Sequence, residues 1–186
     1  MKNTYLTSYF PLLSLLLLSL SFAVSFEFKL IDVLKDIGIY NGMLEFFSDS
    51  GIKLSLLTLL TILFFMVLSA LKIIADTINE LSLLFFSKET EGQSLTKIRS
   101  GSGIYFFASG VSLLVSFYSL IGVLVIFLIA TFGYFIFIVY KISAELTVVG
   151  MAGLVFFQVI VWSTLLIGVA YLVVKVYNSV LASLPI

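Results

Sequence analysis

Residues 100–140 read SGSGIYFFASGVSLLVSFYSLIGVLVIFLIATFGYFIFIVY, forty-one positions without one Asp, Glu, Lys or Arg. A helix needs about 20 apolar residues to cross a hydrocarbon core ~30 Å thick. As one helix, residues 104–140 would be about 55 Å long at 1.5 Å per residue. Two readings are open: one overlong helix, or two spans, 103–118 and 120–140. Ser116, Tyr118, Ser119 and Gly122 offer a turn between the two. Tilt alone does not hide so long a helix, which favours two spans.

Three further blocks lack charge: 3–26, 54–71 and 146–174. The four blocks hold 112 of the 186 residues, and the other 74 carry all twenty charges. Backbone groups in lipid must satisfy one another within the segment, so long uncharged runs mean helices. No period-two alternation of the barrel type is present. The predicted fold is all-α: an integral membrane helical bundle of five (alternatively four) transmembrane helices, with short amphipathic interfacial helices. It forms one domain over 1–186, with spans 5–26, 54–72, 103–118, 120–140 and 148–174.

Composition agrees and excludes much chemistry. Charged residues make up 11%, against roughly 25% in ordinary soluble domains, and mean hydropathy is +1.24. With no Cys and no His, the chain has no disulfide, thiolate metal site, Ser-His-Asp triad or His-ligated haem. Ten basic and ten acidic residues give zero net charge, hence no electrostatic case for nucleic acid. No phosphate loop, dinucleotide fingerprint or metal-ligand spacing occurs. The expectation is a non-enzyme with no cofactor, no metal and no catalytic residue.

The first span carries the block Leu15–Leu18, with Pro11 near its entering end. Lys2 and the small residues Ala23-Val24-Ser25 imitate a secretory signal, but the apolar run exceeds a signal core, so a retained span is expected. The connection 27–53 sets Glu27, Asp32, Asp36, Glu45 and Asp49 against Lys29, Lys35 and Lys53. Leu30, Leu34 and Ile37 recur at helical spacing, and Gly38 with Asn41-Gly42 interrupts them. This predicts two short amphipathic helices at the bilayer surface or bundle mouth, with a lid or docking surface as the alternative. Ser48-Asp49-Ser50 supplies caps for the second span.

The helical pattern of the second span continues past Lys72 to about Phe86. Residues 87–102 are polar and read as an exposed loop. Lys88, Lys97 and Arg99 within it mark the cytoplasmic side, so the N-terminus is predicted inside and 27–53 outside. The last span ends at Lys175, with an interfacial tail beyond. Tyr5, Tyr9, Tyr140, Tyr171 and Tyr177 fall near span ends, as an aromatic belt requires.

Lys72, Asp76 and Glu80 form the sharpest constellation, one ionisable helix face at or just inside the cytoplasmic boundary. Ionisable groups at membrane depth mark ion or proton paths. The plainer alternative is a snorkelling Lys72 paired with Asp76, and Glu80 in water. Gln158, one turn from Trp162, is a candidate intramembrane polar contact that wants a partner such as a Ser or Thr of the third span. Ala108, Ser112 and Ser116, and likewise Thr164 and Gly168, are small faces for packing within the bundle or between copies.

The stretches MKNTYLTSYFPL (1–12), GMLEFFSDSGIKL (42–54), LSALKIIADTINELSLLFFSKETEG (68–92) and YNSVLASLP (177–185) resemble the YufK-like family, small uncharacterised multi-pass membrane proteins of Bacillus and its relatives. The resemblance implies a bacterial plasma-membrane protein and transfers no catalytic or binding residue. The expected function is a non-enzymatic accessory, assembly or regulatory component of a membrane complex. The alternative is a small oligomeric channel or transporter with an ionisable inner gate. Expected partners are the lipid bilayer, another membrane protein, or a second copy. An intramembrane or lipid-modifying enzyme is least favoured, since its carboxylates would come from Glu27, Asp32 and Asp36 on a surface helix.

Overall fold

The computed structural model describes residues 4–87, 101–143 and 146–183. Apolar runs with helix-forming composition produce α1 (Thr4–Asp36), α2 (Ile39–Leu44), α3 (Asp49–Phe86), α4 (Ser102–Val115), α5 (Leu120–Ile142) and α6 (Val148–Ser183). No strand occurs among the described residues. Four helices, α1, α3, α5 and α6, are long and apolar enough to cross a membrane. At about 21 Å, α4 is shorter than a hydrocarbon core.

Side-chain caps and one glycine place the breaks. Ser48 Oγ accepts from Gly51 N at 3.2 Å, and Ser119 Oγ from Gly122 N at 3.0 Å. Thr147 Oγ1 accepts from Gly150 N at 3.0 Å. Each bond satisfies an orphan donor of a first turn. Between α4 and α5 the chain turns at 116–119, because Ser119 is extended (φ −157°, ψ 121°). The 104–140 run is therefore two helices. Between α1 and α2 the chain reverses at Gly38, whose φ of 78° suits glycine alone without strain.

Helix directions follow from cross-contacts. Leu18 and Leu68 share one cluster while Ile31 and Ile52 share another, so α1 and α3 are antiparallel. Phe10 stacks on Phe106 at 4.9 Å and Ser25 reaches Ser116, so α4 runs parallel to α1. Tyr105 meets Thr131 and Tyr134, so α5 returns antiparallel to α4. Gln158 meets Asn79 and Ser82, while a Cβ at Gly153 would strike the Phe86 ring, so α6 runs antiparallel to the end of α3. The elements α1, α3, α4, α5 and α6 thus alternate in direction, and α1 packs between α3 and α4.

Small residues make that central position possible. Ser14, Ser19, Ser21 and Ser25 of α1 are buried, as are Ser109, Ser112 and Ser116 of α4. Ser14 and Ser21 donate to carbonyls one turn back, at 2.6 and 2.7 Å, so they bury no orphan donor. A seam of serines lets two helices approach closely where lipid offers no hydrophobic drive. Phe22 then fills the space beyond, stacked on Phe64 at 5.5 Å and edge-on to Phe127 at 5.9 Å.

Two expectations need revision. The charged stretch after Phe26 is not a separate surface helix: α1 continues through it to Asp36, because Ile31 and Leu34 keep packing toward α2 and α3. The buried face of α4 is Ser109, Ser112 and Ser116, with Ala108 beside it rather than in it. The last helix continues past the expected span end at Lys175 to Ser183. The expected loop 87–102 lies, at 88–100, outside the described residues.

Candidate functional site

Two polar constellations stand on α3. The first is the face Lys72, Asp76, Glu80, one residue per turn. Lys72 Nζ donates to Asp76 Oδ2 in an i,i+4 ion pair, with the two side chains 40% and 47% exposed. Glu80 is exposed and makes no hydrogen bond or ion pair among the described residues. Tyr105 and Tyr134, with rings 5.3 Å apart, lie within electrostatic reach of Asp76.

The second constellation is closed. Gln158 Nε2 of α6 donates to Asn79 Oδ1 at 2.8 Å and to Ser82 Oγ at 3.1 Å. Gln158 Oε1 accepts from Trp162 Nε1 at 3.2 Å, and Ser82 Oγ donates to Ile78 O at 2.7 Å. Asn79, Ser82 and Gln158 are all buried. The partner is on α3, not on the third span where a Ser or Thr was expected. Asn79 sits one helical position before Glu80, so α3 turns its amide inward and its carboxylate outward. The network fastens α6 to α3.

The serine seam holds one exception. Ser112 Oγ is fully buried and has no hydrogen-bond partner among the described residues. The other small face, Thr164 and Gly168, is exposed. Indeed every residue from Ser163 to Ser179 is exposed, so α6 leaves the bundle after Trp162.

Outside the spans, α2 is fastened by a charged cluster that sequence reasoning did not assemble. Tyr40, buried among Ile31 and Ile52, donates its hydroxyl to Asp49 Oδ1 at 2.7 Å. Lys53 Nζ reaches Asp49 Oδ2 at 2.7 Å, and Lys35 Nζ lies 5.3 Å from the Tyr40 ring centre. The hydrogen bonds from Lys53 and then Tyr40 hold the Asp49 carboxyl below its ordinary value, while the bond to Asp49 raises the Tyr40 phenol. Burial pushes the Glu27 carboxyl up, opposed by Lys53. The signal was available in principle: Asp49 and Lys53 are i,i+4 on one helix, but Tyr40 reaches them only because Gly38 reverses the chain.

No group of three or more candidate metal ligands comes together among the described residues. The profile of a family of unknown function, DUF5366, matches residues 27–185. A Bacillus subtilis (strain 168) protein described as "Uncharacterized membrane protein YufK" is 44% identical over 186 residues, covering 100% of both chains. The chain belongs to this family. It is a membrane protein with several candidate spans, similar to YufK along its whole length. No solved structure matches. Family membership carries no activity, so function must be argued from the side chains above.

Proposed function

We propose that this chain is a non-enzymatic accessory, assembly or regulatory component of a membrane complex. One observation carries the proposal: the polar side chains that join α6 to α3 and α1 to α4 are spent on contacts within the chain, whereas ionisable groups on α3 and the end of α6 stay uncovered. Gln158, Asn79, Ser82 and Ser25 all bond within the chain. Lys72, Asp76, Glu80 and residues 163–179 do not pack inside it. Uncovered polar side chains on a membrane helix favour association with another helix. Affinity purification of a tagged chain from native membranes in mild detergent tests the proposal. Stoichiometric co-elution of another membrane protein is expected; elution with no other protein overturns it.

The same three residues favour one second reading, a small oligomeric channel or transporter with Lys72, Asp76 and Glu80 at an inner gate. Vesicle flux above the empty-vesicle level, with its pH dependence lost in Asp76→Asn, would support that reading. Flux equal to empty vesicles removes it.

The proposed address is a bacterial plasma membrane with the N-terminus cytoplasmic. Lys88, Lys97 and Arg99 support that side for residues 87–102, and the acid-rich 27–53 supports the other. Alternating helix directions then carry α6 outward, so a reporter fused after Ile186 should read as external. A cytoplasmic signal there contradicts the five-crossing topology.

A further inference from the structure

We propose that the groove between α1 and the start of α3 binds an organic monocation, an ammonium carried on an apolar body, and that Glu27 holds its charged end. A cavity of about 590 Å³ opens there, within the size range of small-molecule sites. Glu27 lines it and is only 9% exposed, yet its carboxyl makes no hydrogen bond and no ion pair among the described residues. A buried carboxyl without a partner is costly in either protonation state: the ionised form lacks a counter-charge and the neutral form lacks an acceptor.

Helix register explains why a carboxyl stands at this place. Leu18 with Leu68 and Phe22 with Phe64 set Ser14 level with Lys72 and Glu27 level with Leu59. Glu27 is the first charge after the uncharged run 3–26 and is level with the uncharged run 54–71 of α3. It therefore marks the edge of the hydrocarbon. Because Ile31 and Leu34 keep α1 helical and packed to Asp36, the chain does not turn Glu27 away into water.

Charge sets the sign of the ligand. Besides Glu27 the wall carries Asp32 and Asp49 against Lys35 and Lys53, one acid in excess. Lys53 is committed to Asp49 at 2.7 Å and lies within electrostatic reach of Glu27 but outside ion-pair distance. Lys35 lies over the Tyr40 ring, and Asp32, exposed three residues before it on α1, balances it. The uncompensated charge is the single negative of Glu27, which a monocation neutralises. An anion would need a lysine taken from its present partner. No three candidate metal ligands converge among the described residues, so a bare metal ion would find too few oxygens.

The rest of the wall is apolar: Phe28, Ile31, Leu54 and Leu57. Phe28 and Leu54 stay exposed, so the apolar end of the ligand has bare surface to cover. The Phe28 ring also offers a face to the cation. An ammonium on a phospholipid headgroup has the same chemistry but brings a phosphate, which would meet Asp32 and Asp49 while both lysines are engaged. The charge count thus selects a free cation over the headgroup.

Calorimetric titration of the full chain in neutral detergent, with protein-free micelles subtracted, tests this with 2-phenylethylammonium as the probe. Saturable binding of the probe is expected. The neutral 2-phenylethanol, and ethylammonium without the ring, should each bind about tenfold more weakly or not at all. Glu27→Gln keeps the shape and removes the charge, so it should weaken the probe about tenfold to a hundredfold, the scale of one charge-assisted hydrogen bond. Asp36→Asn, outside the groove on the same helix, should leave the affinity unchanged. Absence of saturable binding, or equal affinity in Glu27→Gln, overturns the proposal. If Glu27→Gln does not fold, the native chain still decides, because equal binding of 2-phenylethanol overturns it as well. Dihexanoyl phosphatidylethanolamine binding as tightly as the probe would give the groove to a lipid headgroup and overturn the free cation. The groove lies at the opposite end of α3 from Asp76 and Glu80, so this titration and the partner purification succeed or fail separately.

Discussion

Replacing Gln158 with Met removes the amide that joins α6 to α3 while keeping length and apolar bulk. Two interhelical bonds vanish, to Asn79 at 2.8 Å and to Ser82 at 3.1 Å. Such bonds average ~0.6 kcal/mol each in membrane proteins, with an upper range near 1.7. Ser82 keeps its own donation to Ile78 O, so it is not orphaned. Trp162 Nε1 and Asn79 Oδ1 each lose a partner in a buried setting, which moves the loss to the upper half of that range. The expected destabilisation is about 1–2 kcal/mol, a factor of roughly 5–30 in the folded ratio. Trp162 is the only tryptophan, so its fluorescence during titration with denaturing detergent reports on this network directly. Asn79→Leu completes a double-mutant cycle, with an expected coupling of about 0.5–1.5 kcal/mol. Strictly additive single losses would refute the network as the fastening between these helices.

Three further outcomes follow from the packing. A Cβ at Gly150 would sit 2.9 Å from the Phe86 carbonyl oxygen, whereas one at Gly110 meets nothing within 4 Å. Gly150→Val should therefore cost about 1–3 kcal/mol in detergent unfolding while Gly110→Val costs far less. Ser112→Ala removes a buried hydroxyl without a partner among the described residues and should be neutral or stabilising, whereas Ser25→Ala loses the 2.9 Å bond to Ser116 O and should cost about 0.5–1.5 kcal/mol. Asp49 titrates below its ordinary value in the folded chain, so its contribution is full above the unfolded carboxylate pKa of about 3.9 and is lost as pH falls through the lower folded value. Protease nicking near Gly38 should rise only in that acid range, and Asp49→Asn should remove the dependence.

Much of the fold was legible because charge is so unevenly distributed. A helix in lipid must exclude ionised groups, so the uncharged blocks mark α1, α3, α5 and α6 without reference to neighbours. The turn at 116–119 was readable from Ser119, whose side chain caps α5. Tertiary matching was less accessible. Gln158 announces that it needs a partner, but the choice of Asn79 and Ser82 depends on how far α6 slides along α3, which Phe86 settles by packing on Gly150 and Gly153. Spacings of three and four residues both occur on a helix, so the inward face of α4 could be named only once α1 lay against it. The depth of Lys72 was hidden for a related reason. Read alone, α3 is most apolar over 54–71 and puts Lys72 at an edge. Read beside α1, α5 and α6, that residue stands opposite Ser14 and Phe127, well within their uncharged lengths.

That depth is the point on which the placement of the spans turns, and water-soluble maleimide labelling of single-Cys variants in membrane fragments measures it. Ser50→Cys and Lys141→Cys should react readily, while Met66→Cys and Ile73→Cys should react only after denaturation. Reaction of Ile73→Cys in intact membranes at the rate of Lys141→Cys would place the Lys72–Asp76 face in water and contradict a bundle whose register sets Lys72 beside Ser14 and Phe127.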